Sequence, residues 1–232
     1  MTFALRFYND AGTVAIGGTA PNLVFRQKYV TAFTNYYGPG AWQRSVLSVD
    51  ITAKTPVVAY SSAKFAGVES MIKTGPQNWT VNFTAEGLDG DQSCTVYVFD
   101  ESSQVPVTGN VGVEMYDPAG SGVRFYNSSQ KPLVMAANMT QATTVSQPGK
   151  SLAVWQSGAP WFFVQTPPGG VLVPDGYFGD YFLNAARVSG STFTGNRAIP
   201  FRDAGQFNPT PGPYDNSSSP VGSWMILDVT GL

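Results

Sequence analysis

Histidine is missing from all 232 residues, and cysteine occurs once, at Cys94. Without an imidazole there is no Ser-His-Asp or Cys-His nucleophile system, no histidine metal ligand and no histidine general base. A single thiol closes no intrachain disulfide and builds no thiolate metal cage. Charge is scarce too, at 12% of residues, against about 25% in typical soluble domains. The net charge of −2 comes from 13 basic and 15 acidic groups spread evenly along the chain, so nothing forms a basic footprint for nucleic acid. No apolar run approaches the roughly 18 residues that span a bilayer. The opening Met1-Thr2-Phe3-Ala4-Leu5-Arg6-Phe7-Tyr8 lacks the basic start and long apolar stretch of a signal peptide.

What the chain does have is glycine (25), proline (17) and 13% aromatics. That combination describes a turn-rich chain with enough apolar surface to fold. Strand patterns dominate. Phe3 to Tyr8 alternates and ends in the turn cluster Asn9-Asp10-Ala11-Gly12. Val46–Ile51, Trp79–Thr84 and Thr95–Phe99 alternate in the same way, with β-branched and aromatic residues. Val57-Val58-Ala59-Tyr60 and Trp161-Phe162-Phe163-Val164 are short continuous apolar runs, suited to strands buried on both faces. Leu133 to Gln147 is free of Gly and Pro, and its Met135-Ala136-Ala137-Asn138-Met139 suits a helical turn or a strand. The expectation is an all-β fold.

An internal repeat organises the chain. Leu5-Arg6-Phe7-Tyr8-Asn9-Asp10-Ala11-Gly12 aligns with Val113-Glu114-Met115-Tyr116-Asp117-Pro118-Ala119-Gly120. Pro21-Asn22-Leu23 and Pro132-Leu133 follow at comparable distances, and Tyr97-Val98-Phe99-Asp100 resembles Met225-Ile226-Leu227-Asp228. The pattern predicts two tandem β-sandwich domains, at 1–101 and 111–232. A linker at 102–110 joins them, and a long loop insert around 169–220 belongs to the second.

These openings, Leu5–Gly12 and Val113–Gly120, resemble small tail-tip, baseplate and tail-fibre proteins of long-tailed, siphovirus-like bacteriophages, which are often built from tandem β-sandwiches. The closing strands Thr95–Asp100 and Ser223–Asp228 fit the same plan. The resemblance implies a virion structural role, synthesis in the host cytoplasm and attachment to a host-surface glycan or protein. It also implies assembly with other tail proteins and as a symmetric homo-oligomer such as a trimer. It brings no catalytic residue, no cofactor and no metal. A monomeric lectin-like or carbohydrate-binding protein is the alternative from a different class.

Candidate sites are few. Asp89-Gly90-Asp91 resembles part of a calcium loop, but Gln92-Ser93-Cys94 continues differently, so turn hydrogen bonds are the expected role. Asp175 and Asp180 lie between glycines and suit a surface turn. Asp100 and Glu101 are neighbours on a strand, where side chains alternate in direction, which suits no catalytic pair. Cys94 reads as a small buried hydrophobe. Aromatic groups carry the binding expectation: Tyr36-Tyr37 with Trp42, and, within the expected insert, Tyr177, Phe178, Tyr181, Phe182 and Tyr214 as a surface contact.

Overall fold

The computed structural model describes residues 7–8, 14–16, 22–37, 44–87, 91–107, 114–116, 122–139, 144–156, 161–166, 177–207 and 223–232. The described residues are all-β, with antiparallel pairing throughout and one short 3-10 turn at Ser102–Gln104. Each half opens with a small hairpin. β1 (Phe7–Tyr8) pairs β2 (Val14–Ile16), and β10 (Glu114–Tyr116) pairs β11 (Arg124–Asn127).

The remaining strands form two sheets. From the first half come β3 (Leu23–Ala32), β4 (Asn35–Tyr37), β5 (Arg44–Thr52), β6 (Val57–Ser62), β7 (Ala66–Lys73), β8 (Asn78–Glu86) and β9 (Ser93–Glu101). The second half supplies β12 (Val134–Met139), β13 (Thr144–Ser146), β14 (Leu152–Gln156), β15 (Trp161–Thr166), β16 (Tyr177–Ser189), β17 (Thr192–Phe207) and β18 (Trp224–Asp228). One sheet has six strands in the order β12-β18-β14-β6-β9-β3. The other has eight, β13-β17-β16-β7-β8-β5-β4, with β15 also paired to β16.

Where the sequence predicts a separate pair of sheets in each half, the structure shares both sheets between the halves. The joints are Val154 opposite Tyr60 and Ala186 opposite Ala66. The physical reason lies in the inner edges of β6 and β7, whose backbone N–H and C=O groups need partners that β14 and β16 of the other half supply. Outward from the joint, the six-stranded sheet reads β6-β9-β3 on one side and β14-β18-β12 on the other. The register irregularities also correspond. β3 shifts against β9 between Phe25 and Gln27, and β12 shifts against β18 between Met135 and Ala137. Counted from Asp100, opposite Val24, and Asp228, opposite Val134, both bulges fall at the same step. The two outer strands then meet at their starts, where the Leu133 amide donates to Leu23 O (2.9 Å) and the Phe25 amide to Lys131 O (2.7 Å). The six-stranded sheet therefore curls until its edges touch.

Alternation places the core. In β5, Leu47, Val49 and Ile51 are buried while Ser48, Asp50 and Thr52 are exposed. The main cluster joins both sheets and both halves, from Leu47, Val81 and Phe83 to Val154, Phe193 and Ile226. Aromatic contacts cross between the sheets, Tyr60 on Phe83 at 5.6 Å and Phe193 on Trp224 at 5.9 Å. Such pairs contribute about 0.5–1.5 kcal/mol beyond simple burial. A second cluster holds Ala59, Tyr97, Phe99, Ala153 and Leu227, residues that alternate with the first set along β6, β9, β14 and β18. The apolar run at Val57–Tyr60 is thus buried on both faces.

Two expectations need correction. The linker does not hang free at its start: Ser102 and Val105 are buried, and 108–110 lie outside the described residues. The insert at 169–220 contains the two longest strands, β16 and β17, rather than one loop. Gly179, Gly195, Pro200 and Gly205 read as loop residues, yet strands that shift register at three points accommodate them. Of the two forms that suit Met135–Met139, the structure takes the strand, paired with β18, in line with the all-β expectation.

Candidate functional site

The predicted aromatic contact is carried by the middle strand of a three-stranded segment. Tyr177, Phe178, Tyr181 and Phe182 all lie on β16, with β15 on one side and β17 on the other. Tyr181 and Phe182 are half-buried. Tyr214, Trp42 and Asp175 lie outside the described residues, as does Asp89. The structure therefore brings four of the five contact residues onto one strand but presents no loop carrying them.

The carboxylates serve the fold. Asp91 accepts from the amide and hydroxyl of Ser93, both at 2.8 Å, which starts β9 and holds the Asp91 carboxyl below its usual range. Asp100 is fully buried and accepts from Arg26 (3.1 Å) and from the amides of Lys54 and Thr55 (each 3.0 Å). Asp100 and Glu101, expected on opposite faces, both reach the Thr55 hydroxyl, at 3.2 and 3.0 Å. The Lys54–Thr55 turn wraps the end of the strand, so alternation no longer separates them. A carboxylate with no exposure touches no substrate. Burial pushes the Cys94 thiol up to about 12, which leaves it protonated and inert.

The crossing between halves is a fixed joint. Arg26, the bulge residue of β3, also donates to Gln104 O at 2.8 Å. Arg124 and Gln130 each bond both Ser102 O and Val105 O, over 2.7 to 3.1 Å. A cleft of about 260 Å³ opens between β6, β7 and β14, lined by Val58, Val68, Met71, Trp155 and Gln156. Gln156 fills its inner end, accepting from the Val68 amide (3.3 Å) and donating to Asn184 O (3.1 Å).

The strongest candidate for function is the outward face of β5, β8 and β7. Its side chains are almost all hydroxyls, amides and carboxylates, and they bond to one another across the strands. Ser48 donates to Asn82 (2.7 Å), which donates to Ser70 (2.9 Å). Thr80 donates to Asp50 (2.6 Å), Thr52 to Asn78 (3.2 Å) and Thr84 to Glu69 (2.5 Å). A shallow concavity of about 420 Å³ lies over Asp50, Thr52, Thr74, Asn78 and Thr80. The sequence holds the signal for this face, since every second residue of Ser48–Thr52 and of Asn78–Thr84 is a short hydrogen-bonding side chain. Aromatic clusters are the sequence cue for binding, whereas the aromatic at this concavity is the single Trp79, which lines it while half-buried against the core with its indole N–H on Ala53 O at 2.9 Å.

Such an arrangement can exchange hydrogen bonds with a polar ligand. Among the described residues no group of three or more acidic, cysteine or histidine side chains could hold a metal ion. No family model, no curated protein and no solved structure matches this chain.

Proposed function

We propose that this chain is a structural subunit of a bacteriophage tail tip, baseplate or tail fibre. In this reading it assembles with itself and with other tail proteins, and contributes to attachment at the host surface. Residues 1–101 and 111–232 are two copies of one β unit, merged into a single sandwich of two shared sheets. One observation carries the reading: each half opens with its own hairpin, β1–β2 and β10–β11, whose first strand lies within one of the two motifs that resemble tail proteins. The mirrored strand order and the bulges at matching steps support the duplication. A surface with little charge fits contact with neighbouring subunits, whose interface cores are depleted in charged residues.

Antibody against the chain, applied to particles produced by the genome that encodes it, tests the reading by electron microscopy. Labelling at the tail is expected, and particles that carry no label would overturn it. The polar face on β5, β8 and β7 favours a second reading, a monomeric carbohydrate-binding protein. Light scattering separates the two, because that reading requires a monodisperse species of 24.8 kDa.

A further inference from the structure

We infer that the outward face of β5, β8 and β7 binds a neutral saccharide through two adjacent hydroxyls, with Asp50 and Asn78 as the principal contacts. This rests on the attachment part of the proposed function and gives it a location and a ligand class. The unspent hydrogen-bonding capacity of the face makes the argument. Thr80 donates to Asp50 Oδ1 and fixes that carboxylate, while Oδ2 has no hydrogen bond among the described residues. Thr52 donates to Asn78 Oδ1, which leaves the Asn78 Nδ2 donor without a partner among the described residues. Both threonine hydroxyls have used their proton and keep lone pairs to accept.

The face therefore offers acceptors at Asp50, Thr80 and Thr52 and a donor at Asn78. A sugar hydroxyl both donates and accepts, so neighbouring hydroxyls can donate to Asp50 Oδ2 and accept from Asn78 Nδ2. Bonds to a charged acceptor are the stronger kind. Ile72 lies in register with Thr80 and Asp50 and is 53% exposed, which sets an apolar edge beside the polar floor for the sugar's C–H groups. The concavity of about 420 Å³ is within the usual range for small-ligand sites. Asp50 is the charged residue lining it, so an anionic sugar meets repulsion. Prior bonding within the rows holds the side chains in place before the ligand arrives, which lowers the ordering cost of binding. A shallow site of this kind gives weak single contacts, and repetition in an assembly multiplies them.

Amide chemical shifts of the whole chain, followed during titration with D-galactose, D-glucose, D-mannose and N-acetyl-D-glucosamine, test the inference. At least one sugar should move the amides of Asp50, Thr52, Ile72, Asn78 and Thr80. Asp50→Ala and Asn78→Ala should each weaken that binding by about tenfold. Both positions are exposed, and circular dichroism is to check that the variants fold. N-acetylneuraminic acid should bind more weakly than the best neutral sugar. The inference is overturned if no sugar moves these amides, if Asp50→Ala binds as tightly as the parent chain, or if the acidic sugar binds best. None of those results alters tail labelling, so the two proposals fail separately.

Discussion

The Tyr60 hydroxyl lies 3.5 Å from the carbonyl oxygen of Ala186, 126 positions further along the chain. The same hydroxyl bonds Ala66 O, the residue that faces Ala186 across the joint between β7 and β16. Tyr60 itself stands opposite Val154, at the joint between β6 and β14. One fully buried side chain thus touches both seams along which the halves are joined. Burial raises its phenol well above the usual tyrosine range, so the ring keeps its proton and its role as donor.

Tyr60→Phe should keep the ring contact with Phe83 and remove the donor. The Ala66 carbonyl then loses its donor in a dry site, and Ala186 O its weaker contact, at a cost of about 1–3 kcal/mol. Urea unfolding should show a lower midpoint with an unchanged slope, and an unchanged midpoint would deny Tyr60 its bridging role.

Gly67 follows the joint residue Ala66 on β7. A methyl group there would stand 2.8 Å from Asn184 O and 2.9 Å from Leu183 Cδ2 on β16. Gly67→Ala should therefore force the strands apart and cost about 1–3 kcal/mol, read as a drop in melting temperature.

Asp100→Ala should be the most damaging single change. It leaves Arg26, only 18% exposed, without its carboxylate and frees the amides of the Lys54–Thr55 turn. Breaking a buried pair from one side costs about 3–5 kcal/mol. Calorimetry that found the variant as stable as the parent would sink this account of the joint.

Cys94 should resist a thiol reagent such as Ellman's at neutral pH until the protein unfolds. Its folded value, near 12, lies above the unfolded one, so burying the neutral thiol contributes stability at neutral pH. That contribution declines as pH rises past the unfolded value and is gone above the folded one. Cys94→Ala should accordingly flatten the alkaline limb of a stability profile.

Asp228 shows the opposite sign. Burial pushes its carboxyl up, but bonds from Thr230 and Lys150 outweigh that and hold it below the ordinary range. The resulting stability is present above the unfolded value and is lost as pH falls through the folded one. Asp228→Asn should remove part of the acid-induced loss, measured as melting temperature against pH.

Legibility differed by feature. Alternation marked β5 and β8 because each puts one face on the core, β-branched and aromatic residues marked β9, whose two faces are both buried, and the repeated openings marked the two small hairpins. The joints were not legible, since Tyr60 and Val154 carry no local sign of pairing across the chain. β16 and β17 were hidden by Gly179, Gly195 and Pro200, which local rules assign to loops and which bulged strands tolerate. For the candidate site, the aromatic cue led to β16, while the polar rows on β5 and β8 were visible as alternation but read only for their buried partners.

The shared sheets set an order of events during synthesis. A ribosome releases β6 and β7 well before β14 and β16, so the inner edges of the first half emerge with their eventual neighbours still unmade. Pairings that join distant stretches form slowly, and open strand edges are prone to intermolecular association while they wait. The latch comes last: Lys28 on β3 holds Leu232 O at 2.7 Å, 204 positions away. Slower translation of residues 111–156 would therefore lengthen the interval of exposure and lower the yield of soluble chain, although the finished protein is the same.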